Sequence, residues 1–444
     1  MNILQIQRTL ASTLTQWRHS ATRKPLLVRG ARQVGKSFLI EAFGKQHFDH
    51  CITINFELNP EYKKCFQTLN PQEICDNIRV VSQQKIVAQQ TLLFLDEIQD
   101  CPAAIQALRY FKEQMPELHV IGAGSLLELV LRQAEFRLPV GRVGFLYLYP
   151  VSFKEFLTAV NPTAVEQLEQ CSVAHPLTPA VHDYLQKQLR LYFFVGGMPE
   201  ALASYMQLSD IQEVQAIQAS ILATFRNDFG HYSEWANPKH LQLCFDQVPQ
   251  LIGQQIKYNK IDPDIRAREL KEALQVLEDI SLIHKIRATA ASGIPLDATL
   301  NEKKFKLSFL DIGLVKRIQK LDASLLLDEN MMLLNRGSLA EQFVGQELLA
   351  YSPAFEKASL YFWARDGAGH AEVDYLVQMG ADIIPLEVKA GKTGTLRSLK
   401  QFILERNPPL SLRISEQPLA LSQNILSVPF YLISELPRLI SPLR

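Results

Sequence analysis

The first third of the chain consists of short apolar runs separated by amphipathic stretches. Each run has the length of a strand, and several of the segments between them have a helical period. The strand-length runs cover residues 25–29, 51–56, 91–95, 119–122 and 145–148. Because strands that alternate with helices pair in parallel and are covered by those helices, this part is predicted to be an α/β fold with a mostly parallel sheet.

Longer segments with a helical apolar period follow. Residues 161–179 are rich in proline and polar residues, and they are expected to form either a surface linker or an irregular helical insertion. Residues 181–218 are periodic except for a break at 195–199, which predicts two helices joined by a turn. We interpret these two helices as a lid without chemistry of its own.

A compact pattern of helices followed by two strands comes next. Helical periods at 240–253 and 263–280 precede strand-like runs at 282–286 and 305–309. This order predicts a winged helix-turn-helix, a module that can place a helix in the DNA major groove. Phosphate contact favours a basic helix, and the second helix here is slightly acidic. A packing or interaction role is therefore the alternative to DNA reading.

The last block opens near residue 336 with a helix. It continues into strand-like runs at 372–378 and 383–389, and an apolar run at 429–433 is expected to be its closing strand. The pattern predicts an independent α/β domain.

Composition restricts the class of protein further. The 444 residues exceed the usual size of one hydrophobic core, so several domains are expected. Lys plus Arg and Asp plus Glu both total 46, so no global charge attracts nucleic acid or an anionic membrane. The six cysteines include no CxxC pair, which argues against a zinc ribbon or a disulfide framework. Since neither a secretory signal nor a membrane span is recognisable, a cytoplasmic location is predicted.

A glycine-rich motif follows the first predicted strand. The motif G-x-x-x-x-G-K-[ST] is met between a short apolar strand and an amphipathic helix, where backbone N–H groups and the helix N-terminus attract phosphates. Lys36 is predicted to bridge the β- and γ-phosphate oxygens of ATP, and Ser37 to bind Mg²⁺. The predicted ATP-binding residues are Gly30, Ala31, Arg32, Gln33, Val34, Gly35, Lys36, Ser37 and Phe38.

A second acidic motif strengthens this prediction. The apolar run at 91–95 ends in Asp96 and Glu97, at the edge where ligands bind in parallel sheets. Asp96 is predicted to hold the magnesium ion. Glu97 is predicted to orient and deprotonate the attacking water. A solvated acidic strand end is the alternative interpretation.

Two further polar residues are candidates for the same site. Ser125 follows the next strand, and it is either a sensor of the γ-phosphate or a turn residue. Arg142 either supplies positive charge to a transition state, in its own subunit or a neighbour's, or forms a surface ion pair.

Residues 25–157 resemble the prokaryotic AAA+ ATPases that carry a C-terminal domain of uncharacterised function. The resemblance rests on Gly-Ala-Arg-Gln-Val-Gly-Lys-Ser, Leu-Asp-Glu-Ile-Gln, Gly-Ser-Leu-Leu-Glu and Tyr-Pro-Val-Ser-Phe, with later landmarks at 196–200 and 306–314. It implies an ATPase core, a winged-helix middle and a nuclease-like end. The predicted divisions are 1–160 for the core, 161–235 for the helical lid or linker, 236–330 for the winged-helix-like domain and 331–444 for the nuclease-like domain.

The C-terminal block carries its own set of carboxylates. Asp374 precedes Glu387 and Lys389 on two predicted strands, a spacing that resembles the PD-(D/E)XK nuclease core. Glu387 and Lys389 are two positions apart in a strand, so both side chains point to one face. Glu341 matches the acidic residue that often completes such a metal site, where Mg²⁺ would be held by hard oxygen ligands. Lys389 is the predicted catalytic lysine. The alternative is an ion-paired strand in a domain without activity.

These sites lead to two main hypotheses. The first is an ATP-driven enzyme that processes DNA or RNA through the C-terminal site. The second is a regulatory ATPase that binds a protein partner and uses the nuclease-like fold as a scaffold. A small-molecule kinase ranks last, because it would give no reason for the C-terminal hairpin. Both a ring and a monomer are compatible with the sequence.

Overall fold

A computed structural model describes residues 6–132, 141–321, 337–365, 371–390 and 395–443. Its strands are β1 Leu26–Arg29, β2 His50–Asn55, β3 Thr91–Asp96, β4 His119–Ala123, β5 Gly144–Tyr147, β6 Ile283–Thr289, β7 Leu300–Phe309, β8 Leu360–Ala364, β9 Glu372–Met379, β10 Asp382–Val388, β11 Ser411–Ser415, β12 Ala420–Ser422 and β13 Ile425–Pro429.

Helices cover both the strands and the segment between the two sheets. They are α1 Leu10–His19, α2 Lys36–His47, α3 Pro71–Ser82, α4 Pro102–Gln114, α5 Leu127–Val130, α6 Phe153–Val160, α7 Pro162–Gln170, α8 Pro179–Val195, α9 Pro199–Leu208, α10 Ile211–Asp228, α11 Pro238–Gln247, α12 Tyr258–Ile261, α13 Ala267–Asp279, α14 Ile312–Ile318, α15 Ser338–Ala350, α16 Arg397–Arg406 and α17 Leu436–Ile440.

The N-terminal sheet is entirely parallel, in the order β2-β3-β4-β1-β5. Its five strands begin and end within two residues of the predicted runs, and every residue of β3 is buried. Apolar residues on both faces of the strands pack against helices, which is why the strands read as continuous apolar runs. The predicted α/β class with a parallel sheet is confirmed.

The helical region differs from the prediction in two places. The proline-rich stretch after Asn161 contains the regular helix α7, which Asn161 caps by accepting from the Ala164 N–H. The segment predicted as two helices contains three, because Ser209 is left-handed (φ 52°) and Asp210 caps the new helix α10. A serine and an aspartate supply the local conformation and the cap that end one helix and begin the next.

The second sheet joins the middle of the chain to its C-terminal part. Its order is β12-β13-β11-β10-β9-β8-β6-β7, and β6 pairs in parallel with β8. The predicted two-stranded ribbon exists as the antiparallel pair β6 and β7, but it is the edge of a larger sheet. The C-terminal strands therefore share one sheet with β6 and β7, which differs from the prediction of an independent C-terminal domain. The predicted boundary at 330/331 lies outside the described residues.

The closing strand is also misplaced in the sequence prediction. Residues Phe430–Glu435 form a 3-10 helix, and the strand precedes it as β13. Both segments are apolar and buried, and burial alone does not distinguish a strand from a short helix. The described helices include none with the length and apolar character needed to cross a lipid bilayer.

Candidate nucleotide site and carboxylate cluster

The glycine-rich loop runs from β1 into α2 and depends on two glycines. Gly30 has φ +143° and Gly35 has φ +91°, a backbone region that side chains disfavour. A Cβ on Gly30 would lie 2.1 Å from the carbonyl oxygen of Leu148, so a larger residue would displace the loop. Helix α2 begins at Lys36, and its N-terminal N–H groups face the loop.

Lys36 is buried inside this loop. Its ammonium donates to the carbonyl oxygens of Gly30 (2.9 Å) and Ala31 (2.8 Å). Burial lowers the pKa of Lys36 to about 8, against the opposing effect of Glu97 and Asp96. Anionic groups bound in the loop would therefore stabilise the charged form of Lys36, and the lysine would in turn stabilise them.

Ser37 and Asp96 meet at the carboxyl edge of the sheet. The Ser37 hydroxyl donates to Asp96 Oδ2 at 2.9 Å, and the Asn55 amide donates to the same oxygen at 3.2 Å. Burial raises the pKa of Asp96, although these hydrogen bonds act in the opposite direction. A hydroxyl and a carboxylate beside a phosphate-binding loop are donors that suit Mg²⁺. Sequence reasoning missed Asn55, although it ends the strand next to β3.

Glu97 follows Asp96 in a left-handed conformation (φ 47°). Its carboxylate accepts a 2.6 Å hydrogen bond from the Gln99 amide. A Cβ on Gly124 would lie 1.9 Å from Gln99 Oε1, so Gly124 leaves the space that Gln99 occupies. Gln99 was also missed, and its position two residues after the acidic pair is the signal that would have identified it.

A cavity of about 320 Å³ lies beside the loop. It is lined on the loop side by Gln33, Gly35 and Phe38, and across from them by Ile6 and Pro199. Phe38 is 46% exposed, as expected of a side chain at the rim of a ligand pocket. Among the other predicted loop residues, Ala31 and Val34 are buried core residues and Arg32 forms an ion pair with Asp228 at the end of α10.

The two remaining candidates of this site differ in position. Ser125 follows β4 at the same edge of the sheet as Asp96. Arg142 pairs with Glu113 of α4 at 2.8 Å, and its side chain is half exposed. This is the surface ion pair that was the alternative interpretation of Arg142. Its role in a transition state stays a prediction.

The predicted C-terminal residues also come together. Antiparallel pairing of β9 and β10 brings Asp374 close to the end of β10, where its Oδ2 accepts from the Val388 N–H at 2.8 Å. Lys389 donates to Glu387 Oε1 at 2.6 Å, while the buried Oε2 of Glu387 has no hydrogen-bond partner. Glu341 of α15 is close enough to Asp374 for the charge of that carboxylate to raise its pKa. We refer to Glu341, Glu372, Asp374 and Glu387 as the carboxylate cluster.

Two residues at this site were not predicted from the sequence: Glu372 of the cluster, and Lys306 of β7, which pairs with it. Its ammonium lies 3.2 Å from Glu341 Oε2 and 3.6 Å from Asp374 Oδ1, and it also pairs with Glu372. Lys306 is 1% exposed. It was overlooked because β7 belongs to the predicted winged helix, about 70 positions from the nuclease-like strands.

The charges in the cluster change the protonation of its members. Burial is the largest cause that raises the pKa of Glu341, to about 8, and the negative charge of Asp374 is the second. The same two causes raise the pKa of Glu387 to about 7. Burial also raises the pKa of Asp374. Burial acts to lower the pKa of Lys306, but Glu341, Asp374 and Glu372 together raise it above its ordinary value.

The predicted metal ligands do not fit a divalent cation in this arrangement. In the part of the chain that the structure describes, no three His, Cys, Asp or Glu side chains are placed to hold a metal ion. The physical reason is that the Lys306 ammonium pairs with both Glu341 and Asp374. The assignment of Glu341, Asp374 and Glu387 to Mg²⁺ therefore stays a prediction from the sequence.

Comparison with known families agrees with the first site. Residues 22–157 match the model described as the AAA domain, residues 186–325 match a domain of unknown function (DUF8612), and residues 336–431 match another (DUF4143). The N-terminal part of the chain thus matches the AAA domain, and its parallel sheet and glycine-rich loop agree with the P-loop fold. Neither of the other two models carries a described activity.

Solved structures include similar chains at low identity. A Walker-type ATPase of Pyrococcus abyssi is 15% identical, with 71% of this chain and 96% of that chain covered and a TM-score of 0.45. The Aeropyrum pernix ORC1 protein in complex with DNA is 12% identical, with 70% and 90% covered and a TM-score of 0.29. RuvB of Thermotoga maritima is 12% identical, with 66% and 91% covered and a TM-score of 0.30. These values support no conclusion about activity or partners. A search of curated proteins gave no match.

Proposed function

We propose that this protein is an ATP-hydrolysing ATPase whose nucleotide lies between the glycine-rich loop and the cavity beside it. The observation that carries the proposal is the 2.9 Å contact of Ser37 with Asp96 directly next to the buried Lys36. Loop, hydroxyl and carboxylate are the parts that P-loop ATPases use to hold a nucleotide and its metal ion. The apolar cavity formed by Ile6, Phe38 and Pro199 suits the base of the nucleotide.

Each side chain has a separate task in this proposal. Lys36 exchanges its loop carbonyls for the β- and γ-phosphate oxygens. Ser37 and Asp96 would hold Mg²⁺, which neutralises charge on the phosphates when bound. Glu97 accepts a proton from the attacking water, and the hydrogen bond from Gln99 to its Oε2 leaves its other oxygen available for this step.

Substitution of the proposed base tests the chemistry apart from binding. Glu97→Gln is expected to lower kcat for ATP hydrolysis by at least about 100-fold, because general-base assistance is lost. Its affinity for ATP should change little, since Lys36 and Ser37 remain. Lys36→Ala should lose ATP binding itself. Phosphate release and binding of a fluorescent ATP analogue are the measurements.

A matched control is Glu166→Gln on the exposed face of α7. It removes a carboxylate far from the loop and should leave both quantities unchanged. If Glu97→Gln hydrolysed ATP at the wild-type rate, Glu97 would not be the base.

We further propose that the C-terminal region acts on DNA or RNA. The support is chemical: Glu387 has a buried oxygen without a partner, and Lys389 and Asp374 lie beside it. Such a group of carboxylates and a lysine is suited to phosphodiester hydrolysis. As arranged here, Glu341 and Asp374 pair with the Lys306 ammonium, so the ligands do not fit a metal ion.

The second candidate is a regulatory ATPase that binds a protein partner, with the C-terminal region as a scaffold. The ion pairs of Lys306 with three carboxylates favour it, because they give the cluster a structural role without any ligand. Ring assembly through a neighbour's Arg142 and a monomeric state are both compatible with either candidate.

One assay separates the two candidates. Labelled single- and double-stranded DNA and RNA are incubated with Mg²⁺, with and without ATP, using wild type, Glu387→Ala and Lys36→Ala. Cleavage that disappears in Glu387→Ala and changes in Lys36→Ala is the expected result for a nucleic-acid enzyme. Intact ATP hydrolysis without cleavage of any substrate would leave the regulatory ATPase.

A further inference from the structure

We propose that Lys306 is a built-in cation that occupies the carboxylate cluster in place of a divalent metal ion and closes it to metal. The inference rests on the proposed action of the C-terminal region, and it concerns the control of that same site. Its central observation is that one ammonium pairs with three carboxylates from two different elements, α15 and β9.

The position of the Lys306 ammonium supports this role. It contacts Glu341 and Asp374, two of the residues that the sequence assigns to the metal. An ammonium and a metal ion compete for the same carboxylate oxygens, because both need the negative charge and the lone pairs. The stem of Lys306 is buried, and its ammonium lies 5.4 Å from the centre of the Phe362 ring. The side chain is thus held in place by its surroundings.

The charge of Lys306 opposes a further cation in the cluster. Its ammonium pairs with Glu341 and Asp374, so it repels a divalent cation from the point between these two carboxylates. Lys389 is a second ammonium group at the cluster, and it pairs with Glu387. The buried Oε2 of Glu387 has no hydrogen-bond partner.

Lys306 comes from a different part of the chain than its partners. It lies on β7, the edge strand of the second sheet, whereas its partners belong to α15 and β9. Hydrogen bonds of Gln342 on α15 with the backbone of Phe309 on β7 hold these two elements together. The middle segment of the chain thus supplies the cation that closes the cluster to metal.

The test measures binding of Mn²⁺ to the full-length, nucleotide-free protein by titration calorimetry. All variants carry Asp96→Asn, so that the ATP site contributes no metal ligand. Lys306→Met is expected to bind Mn²⁺ at least about tenfold more tightly than the parent, because the repelling charge is gone. Adding Asp374→Asn should abolish the gain. Thermal unfolding with and without Mn²⁺ gives a second readout.

Two further variants keep the test decisive. Lys303→Met removes an exposed ammonium from the same strand and should leave Mn²⁺ binding unchanged. Lys306→Met with Glu372→Gln keeps the net charge of the cluster, so it guards against misfolding of the single variant. A gain in the double variant also excludes net charge as the explanation.

The outcomes separate this inference from the proposed function. If Mn²⁺ bound equally tightly with and without Lys306, and Asp374→Asn weakened that binding, the inference would be overturned. The cluster would then be a metal site that Lys306 does not close. Absence of Mn²⁺ binding in every variant would overturn both. Tighter binding in Lys306→Met without any cleavage of nucleic acid would support the inference and overturn the cleavage proposal.

Discussion

At the scale of single residues, His284 shows how burial determines protonation. His284 lies on β6 with its ring near that of Tyr149, which follows β5 of the N-terminal sheet, and it is 7% exposed. Burial, assisted by the charge of Lys357, lowers the pKa of His284 to about 4. The folded protein therefore holds this imidazole neutral at a pH where the unfolded chain protonates it.

This difference predicts a dependence of stability on pH. The folded state binds the proton more weakly than the unfolded state, so the free energy of unfolding decreases as the pH falls from about 6.5 toward 4 and is unaffected above that range. Between pH 7 and pH 5 the wild type should lose about 2 kcal/mol more than His284→Phe, which cannot titrate. Urea unfolding at both pH values measures this. Equal losses in the two proteins would mean that His284 is protonated in the folded state.

At the scale of elements, α15 is a helix whose polar residues face inward. Gln342 accepts from the Phe309 N–H (2.8 Å) and donates to the Phe309 carbonyl (2.7 Å). Glu347 accepts from the Phe153 N–H at the start of α6, and burial raises the pKa of Glu347 to about 8. Because these partners are backbone groups of other elements, α15 positions β7 and α6 by hydrogen bonds as well as by packing.

Removal of one such side chain should therefore be costly. Gln342→Leu would remove the side-chain acceptor of the buried Phe309 N–H and one donor to the Phe309 carbonyl, which keeps a hydrogen bond from the Ser308 hydroxyl, and it is expected to destabilise the protein by about 1 to 3 kcal/mol. Gln401→Leu is the control, because the Gln401 amide donates to its exposed helix neighbour Glu405 at the protein surface. Equilibrium unfolding in urea compares the two. A loss below about 0.5 kcal/mol for Gln342→Leu would contradict the assigned role.

At the scale of the whole molecule, the second sheet makes the middle and C-terminal segments one folding unit. Strand β6 depends on β8 for its parallel neighbour, and the hydrophobic core runs from the helical region into the C-terminal strands. Separate families are matched at 186–325 and 336–431, yet the hydrogen bonds of the sheet cross from one to the other.

A truncated chain tests whether the middle and C-terminal segments fold only together. Ending the protein at Leu321 removes β8 and α15, which exposes the edge of β6 and the apolar face beneath α15. The fragment is expected to lack a cooperative thermal transition in its C-terminal half, as measured by circular dichroism and limited proteolysis. A soluble fragment whose residues 238–321 resist proteolysis like the full chain would show that the winged-helix-like part folds independently.

The arrangement of the proposed nucleotide site was largely predictable from the sequence, because its parts are local. The loop, its following helix and the Asp96-Glu97 strand end are each encoded within a few residues, and parallel pairing of β3 with its neighbours brings them to one edge. The predictions for Lys36, Ser37 and Asp96 needed no long-range information beyond the class of sheet. Asn55 and Gln99 needed the position of each neighbouring strand and loop.

The carboxylate cluster divides between what sequence determines and what tertiary structure decides. The period-two spacing of Glu387 and Lys389 and the hairpin that places Asp374 beside them follow from the rules of strand pairing. The pairing of β6 with β8 does not, because a parallel contact between strands about 70 residues apart leaves no local pattern. That contact, together with the hydrogen bonds between α15 and β7, places Lys306 among the carboxylates, so the tertiary structure decides that they face an ammonium.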